Sequence, residues 1–474
     1  MLRKMTSSGQ ANVRYILFLA SILVITLVMG GLLSKAPQGL VLAGVVGISL
    51  FILCFFSVKY ALYTLILSML LSPEFGSRTT EGGGITVRLE DFLLPLIGFS
   101  WFARTAIYKN LGLLKKTPLN RPVFYYILAC VVSTALGMMF GEVQIVKGFF
   151  FVLKYVEYFI VYFMTVNYVS DRKQLRNLVI AIITVFVIVC LASIAQIPQG
   201  ERITAPFEGK GGEPNTLGGY LLLVLSIVVG IVLNTDKEDS LKYKMLFVGM
   251  SVLSLIPILF CQSRGTWLAI VPWYLTVWVI SKRKALLGVV LALMVAISPV
   301  VMPKSVKDRF LYTFEKQEGW AADYQEQVGG VTLDTSTSER VSSMKKAWEA
   351  YMEHPVFGYG ITGWRFLDAQ YLKTLVETGL LGFAAFGFLI YTILKVTWNG
   401  YRRTNDKFYK GISMGFFAGV IAMLTHGLST NTFIIVRIME PFWFLMAIVV
   451  VIPSIEEAEA LQKKDGESSP VPTK

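Results

Sequence analysis

The sequence predicts an all-α polytopic membrane protein with about 12–14 transmembrane helices and one large loop outside the membrane. Three observations lead to this fold class. Hydrophobic residues make up 54% of the 474 residues. Charged residues make up only 16%, against about 25% in soluble domains. Apolar runs of about 20 residues, the length that crosses a bilayer as a helix, recur along most of the chain.

About fourteen apolar segments are candidate spans. They lie near residues 15–33, 40–57, 60–73, 89–108, 122–140, 148–169, 178–196, 215–233, 245–262, 265–281, 285–302, 372–394, 411–429 and 435–453. The first follows basic residues but has no small-residue cleavage site, so we interpret it as a span and not as a signal peptide. Only Gln262 to Gly265 separate the ninth span from the tenth, which predicts a tight hairpin.

These spans divide the chain into five parts. Residues 1–14 form a cytoplasmic N-terminus, and residues 15–302 hold transmembrane helices 1–11. Residues 303–371 form a large polar loop with short helices, and residues 372–453 hold transmembrane helices 12–14. Residues 454–474 form a polar tail containing Pro and Ser. We expect this tail to be disordered, since it has too few apolar residues to bury.

Basic residues concentrate in alternate loops, and this sets the predicted orientation. Loops rich in Lys and Arg stay in the cytoplasm. Both termini are therefore predicted to be cytoplasmic, and the loop at 303–371 faces outward from the cytoplasmic (inner) membrane. Topology and contact with anionic lipid explain the net charge of +13, so we predict no nucleic-acid partner. The basic loop residues are Arg104, Lys109, Lys115, Lys116, Arg121, Arg172, Lys173, Arg176, Lys282, Arg283, Lys284, Arg402, Arg403, Lys407 and Lys410.

Cysteine usage gives no sign of a disulfide framework or a metal site. The four cysteines lie inside apolar segments, at Cys54, Cys130, Cys190 and Cys261. Their spacing from each other and from histidine does not resemble that of zinc ligands. We therefore predict neither a disulfide framework nor a zinc site.

Ionisable residues within the spans collect toward the predicted outer side. Such residues are costly in a bilayer and are commonly functional. They are Glu90, Asp91, Lys154, Glu157, Arg264, Lys373, Glu377, His426, Arg437 and Glu440. Two pairs are spaced three residues apart, Lys154 with Glu157 and Arg437 with Glu440, so salt bridges within helices are an alternative interpretation. The one-sided distribution favours a polar cavity that opens outward beneath the large loop.

The large loop contains one clear helical pattern. Residues 338–353 are predicted to form a helix that Thr337 or Ser338 caps and that Pro355 ends. Its apolar positions recur at helical spacing, at Val341, Met344, Trp348 and Tyr351. Further along, Gly379 and Gly382 are expected to allow the close approach of another helix.

Several motifs in and around this loop occur in a characteristic order. Arg340 and Trp348 precede His354-Pro355-x-x-Gly358-x-Gly360, and Tyr371-Leu372-x-x-Leu375-Val376-Glu377-Thr378-Gly379-Leu380-Leu381-Gly382 follows. Earlier in the chain stand Ser263-Arg264-Gly265 and the segment from Arg202 to Gly218. Taken together, roughly residues 200 to 450 resemble the O-antigen ligase/polymerase family.

The resemblance implies a membrane glycosyltransferase of the GT-C type. Its donor would be a glycan carried on undecaprenyl pyrophosphate, and its acceptor would be a hydroxyl of a lipid core in ligases or of a growing glycan in polymerases. The transfer would be inverting and would need neither metal nor nucleotide. The implied partners are the lipid bilayer, the donor and the acceptor, with flippase and chain-length regulator proteins as further candidates.

One position departs from the ligase pattern. That pattern has His followed by Asn, Ser or Gln, then nine residues, Gly, two residues and Gly. Here Asp368 and Ala369 occupy the first two positions, and Gly379 and Gly382 keep the spacing. The departure favours a polymerase. The alternative within the family is a ligase that joins the glycan to lipid A-core or to another acceptor.

Six residues are the candidate site. Arg264, Arg340 and Arg202 are predicted to bind the pyrophosphate, because guanidinium groups stay charged and pair with phosphate oxygens in a bidentate manner. The catalytic candidates are Asp368, Glu377 and His354, with Asp368 in the position for a general base. Structural alternatives stay open for three of them: Arg264 as an interfacial anchor, Asp368 as a helix cap and His354 as an ordinary imidazole at a helix end. Glu377 is a candidate base or arginine partner.

Two functions outside this enzyme class remain as alternatives. A transporter or flippase for lipid-linked sugars is expected to show pseudo-symmetric halves and a cavity reachable from both sides. The sequence shows no internal repeat, and its charges lie on one side. A non-catalytic relative that assembles envelope enzymes would tolerate loss of Arg264 or Arg340.

Overall fold

The described part of the chain in the computed structural model is almost entirely helical. It comprises residues 38–72, 74–75, 87–107, 115–208, 212–235, 240–312, 325, 327–328, 331–332 and 334–467. The helices are α1 Gln38–Phe56, α2 Val58–Leu71, α3 Leu89–Ile107, α4 Asn120–Met139, α5 Ile145–Tyr168, α6 Arg172–Ile194, α7 Pro214–Asn234, α8 Leu241–Phe260, α9 Arg264–Ile280, α10 Lys284–Val301, α11 Lys304–Leu311, α12 Thr335–Glu353, α13 Gln370–Arg403, α14 Lys407–His426 and α15 Val436–Glu467.

Within these residues, strands are limited to two short antiparallel ladders. The first pairs β1 Glu74–Phe75 with β2 Val87–Arg88. The second pairs β3 Gln327–Val328 with β4 Val331–Thr332 in the large loop. A 3-10 turn at Ile197–Gln199 follows α6.

The predicted polytopic all-α class is confirmed. Among the described residues, eight helices are long and apolar enough to cross a membrane, namely α4, α5, α6, α7, α8, α13, α14 and α15. Shorter apolar helical stretches occupy Gly47–Phe56, Val58–Leu71, Phe92–Ala103 and Lys284–Ser298. The predicted first span at 15–33 lies outside the described residues. The predicted hairpin is present, because α8 ends at Phe260 and α9 begins at Arg264.

Helices α7 and α14 are largely buried and pack side by side. Glycines permit their close approach: a Cβ at Gly230 would lie 2.2 Å from the carbonyl oxygen of Gly411 and 2.7 Å from the Cα of Gly415. Small residues at such crossings let helix backbones touch, which is how helices associate where lipid removes the hydrophobic driving force. This pair forms a rigid centre on which the site-bearing loops are placed.

The long helix α13 is broken at Gly379. The backbone there has φ 63° and ψ −170°, a conformation available essentially only to glycine. The break frees two carbonyls, and the large loop uses them: Tyr359 N donates to Val376 O at 3.0 Å, and Gly360 N donates to Glu377 O at 2.8 Å. A Cβ at Gly379 would lie 2.2 Å from the carbonyl oxygen of Val356.

Gly379 and Gly382 were predicted to allow the close approach of another helix, and this prediction is wrong about what approaches. Gly379 admits a loop, residues 355–360, and not another helix. At Gly382 an added Cβ would meet the Thr378 side chain of the same helix at 2.2 Å. Glycine spacing in a sequence indicates a close approach but does not say what approaches.

Helix α12 confirms the predicted helix in the large loop and corrects its details. Its cap is Asp334, whose carboxylate accepts from Thr337 N at 2.7 Å. Its buried face contains Ala347 and Ala350, whereas Trp348 is 50% exposed. The small alanines allow close packing, and the bulky amphipathic Trp is placed where its ring can stay partly in solvent.

The predicted disordered tail is wrong as far as Glu467, because α15 continues to that residue. Residues 456–462 are Glu, Glu, Ala, Glu, Ala, Leu and Gln, all good helix formers. Tertiary contacts add to this propensity: Ile455 is buried, and the Glu456 carboxylate accepts from the Thr404 hydroxyl and from Asp406 N. The last seven residues lie outside the described chain.

Candidate active site

A cavity of about 510 Å³ lies where the loop after α12 meets the first turns of α13. Its wall mixes charged, polar and aromatic side chains. Asp368, Lys373 and Glu377 contribute the charges nearest the start of α13, and Trp364 and Phe366 contribute aromatic rings. The structure therefore brings two of the predicted catalytic residues, Asp368 and Glu377, to one cavity.

Asp368 links this cavity to Arg340, one of the arginines predicted to bind the pyrophosphate. Arg340 Nη2 donates to Asp368 Oδ2 at 3.1 Å, and the backbone N–H of Asn431 also hydrogen-bonds the carboxylate. Burial raises the pKa of Asp368, and attraction from Arg340 lowers it by less, so the net pKa lies above the ordinary aspartate value. A carboxylate of raised basicity in a partly buried position can accept a proton from a hydroxyl.

Glu377 is buried and held by two contacts. Lys373 Nζ lies 3.7 Å from Glu377 Oε1, and the same oxygen accepts a hydrogen bond from Thr362 N at 3.0 Å. Its position two residues before Gly379 places it beside the break in α13. Glu377 thus joins the large loop to the membrane helix and also faces the cavity.

Arg264 begins α9 and joins the helical hairpin to α12. It forms a close ion pair with Asp334, and it donates to the Thr337 hydroxyl at 3.2 Å. Asp334 is fully buried. Burial raises the pKa of Asp334, but hydrogen bonds from Arg264 and Thr337 lower it by more, so the net pKa lies below the ordinary range. The Asp334 carboxylate is therefore ionised at neutral pH.

The four arginines Arg202, Arg264, Arg309 and Arg340 gather into a cluster, here called the arginine cluster. Burial lowers the pKa of Arg202, and repulsion from the other three lowers it further. Burial likewise lowers the pKa of Arg309, with repulsion from Arg264 next. Mutual repulsion of this kind requires the guanidinium groups to be near one another. All three predicted arginines thus lie in one group, and the structure adds Arg309.

One exposed hydrogen bond and one buried ion pair position the arginine cluster. Arg202 Nη2 donates to the carbonyl of Gln262, at the tip of the hairpin, at 3.1 Å. The loop that carries Arg202 is fixed a few residues later, where Glu208 pairs with the fully buried Arg437 at 3.1 Å. Arg437 also donates to Ser72 O at 2.8 Å, so it ties three distant segments together.

His354 lies apart from this group. It caps the C-terminus of α12, is exposed, and packs its ring edge-on against Tyr359 with centroids 4.3 Å apart. Tyr359 in turn donates its hydroxyl to Glu353 at 2.6 Å. His354 is not among the cavity-lining residues, so the structure does not bring it together with Asp368 and Glu377.

Sequence reasoning missed several cavity residues. Thr430 and Asn431 lie in the connection between α14 and α15, and Asn431 Nδ2 donates to Leu367 O at 2.7 Å. The polar run Ser429-Thr430-Asn431-Thr432 between two apolar spans was an available signal. Arg309 gave no such signal, since it stands among other charged residues in a polar loop.

Within the described residues, no group of three or more His, Cys, Asp or Glu side chains is arranged to hold a metal ion. The chemistry of the site is that of guanidinium groups next to carboxylates. Such a set binds polyanions, and places a proton acceptor beside them.

The fold and the site define a multi-pass helical membrane protein with an arginine cluster and buried carboxylates at one end of its helices. Residues 249–387, less than half of the chain, match the family model described as O-Antigen ligase. The match confirms, over this segment, the predicted resemblance to the O-antigen ligase/polymerase family. The segment contains Arg264, Arg340 and Asp368, whereas Arg202 and Asn431 lie outside it. No curated protein matches the chain.

Proposed function

We propose that the protein is a glycan polymerase of the membrane. It would take glycan repeat units linked to undecaprenyl pyrophosphate and transfer them to a hydroxyl of another glycan at the outer face of the cytoplasmic membrane. The observation that carries this proposal is the 3.1 Å contact between Arg340 and Asp368, which joins the arginine cluster to the carboxylate cavity. A polyanion bound by the cluster would therefore lie next to a proton acceptor.

The arginine cluster is suited to the pyrophosphate of the donor. Four guanidinium groups face two paired carboxylates, Asp334 and Asp368, so these six groups together carry a surplus of positive charge. When the bond between the anomeric carbon and the pyrophosphate oxygen breaks, the pyrophosphate keeps the electron pair. Preorganised cations stabilise that developing charge. The cluster would supply the neutralisation that a divalent cation supplies at other phosphate sites, and on this basis we propose a metal-independent reaction.

Asp368 is proposed as the general base. The acceptor hydroxyl attacks the anomeric carbon as the pyrophosphate leaves, its proton passes to the Asp368 carboxylate, and one new glycosidic bond replaces the broken one. A single displacement of this kind inverts the anomeric configuration. Glu377 and Lys373 are proposed to fix the cavity wall, and alignment of the two large substrates would contribute as much as the base.

A ligase is the second candidate, and the name of the matched family favours it. Asp368 in the position of the ligase histidine favours the polymerase. Both reactions use the same donor and the same displacement, and they differ only in the acceptor. In the ligase case the acceptor would be lipid A-core or another acceptor.

Deletion of the gene in its native host, followed by complementation, tests the proposal. The variants are Arg340→Gln and Asp368→Asn, and the control is Arg365→Gln, because Arg365 is an exposed cation of the same loop. The surface glycan is then sized on a gel. We expect the wild type and the control to restore polymer, and the two site variants to leave single repeat units.

The ligase and flippase alternatives each predict a different glycan pattern. Full-length polymer held on the carrier in the deletion strain would indicate a ligase. Repeat units trapped on the cytoplasmic side would indicate a flippase. Full rescue by both site variants, at wild-type protein abundance, would exclude the proposed roles of Arg340 and Asp368.

A further inference from the structure

Three buried polar atoms with no hydrogen-bond partner belong to residues that line the cavity. They are the hydroxyl oxygens of Thr362 and Thr430 and the side-chain carbonyl oxygen Oδ1 of Asn431. Thr430 is 3% exposed and Asn431 is 8% exposed. More than nine in ten buried polar groups in proteins are paired, and an unpaired one costs about 1–3 kcal/mol. Three such atoms on one cavity wall indicate a wall built to meet a ligand.

The chemistry of these atoms defines the ligand. All three are uncharged, and they lie in the same cavity as the aromatic rings of Trp364 and Phe366. The amide oxygen of Asn431 only accepts hydrogen bonds, so its partner must carry an O–H or N–H group. A fully ionised phosphate has no such hydrogen. A neutral ring with several hydroxyls has donors and acceptors for all three atoms and apolar C–H faces for the aromatic rings.

Asn431 also relates this wall to the proposed base. Its backbone N–H hydrogen-bonds the Asp368 carboxylate, and its side-chain nitrogen Nδ2 donates to Leu367 O at 2.7 Å. The side-chain nitrogen is thus occupied, and the oxygen Oδ1 is left for a ligand. A sugar bound to this oxygen lies beside the carboxylate that takes the proton.

We infer that Thr362, Thr430 and Asn431 form the binding subsite for the terminal sugar of the acceptor glycan. This inference rests on the proposed function, because it is Asp368 as base and the arginine cluster as donor site that assign this sugar to the acceptor. The donor would be held through its pyrophosphate by the cluster. The acceptor would be held through its hydroxyls by these three uncharged side chains.

The decisive variant is Thr430→Val. Valine has the shape of threonine and removes only a hydroxyl that has no protein partner, so the fold should keep its thermal stability. The matched control is Thr184→Val on α6, where an exposed threonine loses its hydrogen bond to Ile180 O. Purified protein in nanodiscs receives lipid-linked repeat units from the native host as donor. It receives repeat-unit oligosaccharide released from the same lipid by mild acid as acceptor.

Two readouts separate this inference from the proposed function. The first is the transfer rate against acceptor concentration at saturating donor. We expect Thr430→Val to raise the acceptor KM about tenfold, the effect of one lost buried hydrogen bond, with the donor KM and the melting temperature unchanged. The second is direct binding of the oligosaccharide, measured by saturation-transfer NMR without donor. We expect this signal to fall in Thr430→Val and in Asn431→Ala, and to persist in Thr184→Val.

The outcomes are distinct. An unchanged acceptor KM and unchanged oligosaccharide binding in both site variants would overturn the subsite. A raised donor KM with an unchanged acceptor KM would reassign the wall to the donor sugar and overturn it as an acceptor site. Wild-type protein that transfers nothing but binds the oligosaccharide in a Thr430-dependent manner would overturn the proposed function and leave a sugar-binding wall.

Discussion

Arg340 and Asp368 form an ion pair 3.1 Å long between α12 in the large loop and the residue that precedes α13 by two positions. The pair is only partly buried, with 33% and 22% of the two side chains exposed. Partial exposure has a chemical consequence, since a ligand can reach either group without first breaking the fold. The ion pair is thus a structural link that a ligand can reach, as the proposed function requires.

The first prediction concerns pH. A general base acts when it is deprotonated, so transfer should fall as pH decreases through the pKa of Asp368, which lies above the ordinary aspartate value. Attraction from Arg340 lowers this pKa. Arg340→Gln should therefore raise the pKa of Asp368 and move the acid limb of the pH profile of its residual kcat to higher pH. The pH profile of the control Arg365→Gln should coincide with that of the wild type. If the acid limb of Arg340→Gln stays at the wild-type pH, Arg340 does not set the pKa of Asp368.

The second prediction separates folding from binding at Arg264. Arg264→Met should lower the unfolding free energy by about 3 kcal/mol, because it leaves the buried Asp334 carboxylate without its cation. The double variant with Asp334→Asn should regain most of the melting temperature in detergent and none of the transfer activity. If the double variant regains activity as well, Arg264 has a structural role alone.

The same pair predicts an acid sensitivity. The pKa of Asp334 is lower in the folded protein than in the unfolded chain. It therefore contributes stability at pH values above the unfolded pKa, and this contribution is lost as pH falls through the folded pKa. The melting temperature of the wild type should decrease over that acidic range more steeply than that of the Arg264→Met, Asp334→Asn double variant. Parallel curves would show that the pair does not carry the acid response.

The third prediction concerns Gly379. Alanine there requires a positive φ and places a Cβ 2.2 Å from Val356 O, so Gly379→Ala should cost more than about 2 kcal/mol. Gly387 in the same helix is the control, because an added Cβ there meets nothing within 4 Å. Gly387→Ala should be neutral or slightly stabilising. Thermal denaturation of both variants in one detergent measures the contrast, and equal melting temperatures would argue against the break in α13.

The fourth prediction concerns Arg309, the member of the arginine cluster that sequence reasoning did not select. Arg309→Gln should raise the donor KM about tenfold, as expected for one lost charge-assisted contact to phosphate, and leave the acceptor KM unchanged. Lys304→Gln removes an exposed cation of the same short helix and should change neither constant. If Arg309→Gln and Lys304→Gln raise the donor KM equally, the effect comes from net positive charge and not from a contact between Arg309 and the phosphate.

The sequence predicts the parts of the fold that depend on the spacing of apolar residues and on the length of apolar segments. The spans, the hairpin at Arg264 and helix α12 all follow from patterns within 20 residues. The meeting of Arg264, Arg340 and Arg202 was suggested only by a resemblance. No local pattern brings the loop after α6, the tip of the α8–α9 hairpin and α12 to one place.

The features that escaped prediction depend on distant contacts. Gly379 accepts its unusual backbone conformation because the loop around Val356 supplies the missing hydrogen bonds, and no pattern in α13 reveals that partner. The tail beyond Ser454 looked disordered by composition, but Ile455 and Glu456 have tertiary partners. Asn431 becomes a candidate ligand-binding residue only because its amide oxygen is buried without a hydrogen-bond partner, which the sequence does not reveal.

The loop that docks on the break in α13 is held by main-chain atoms, through the bonds of Tyr359 N and Gly360 N to the carbonyls of the helix. Backbone bonds of this type do not depend on which side chains the loop carries. Selection could therefore exchange Trp364 or Phe366 and alter the sugar that is accepted without displacing Asp368. If the backbone fixes the loop and the side chains select the sugar, proteins that share this fold could diversify along with the surface glycans of their cells.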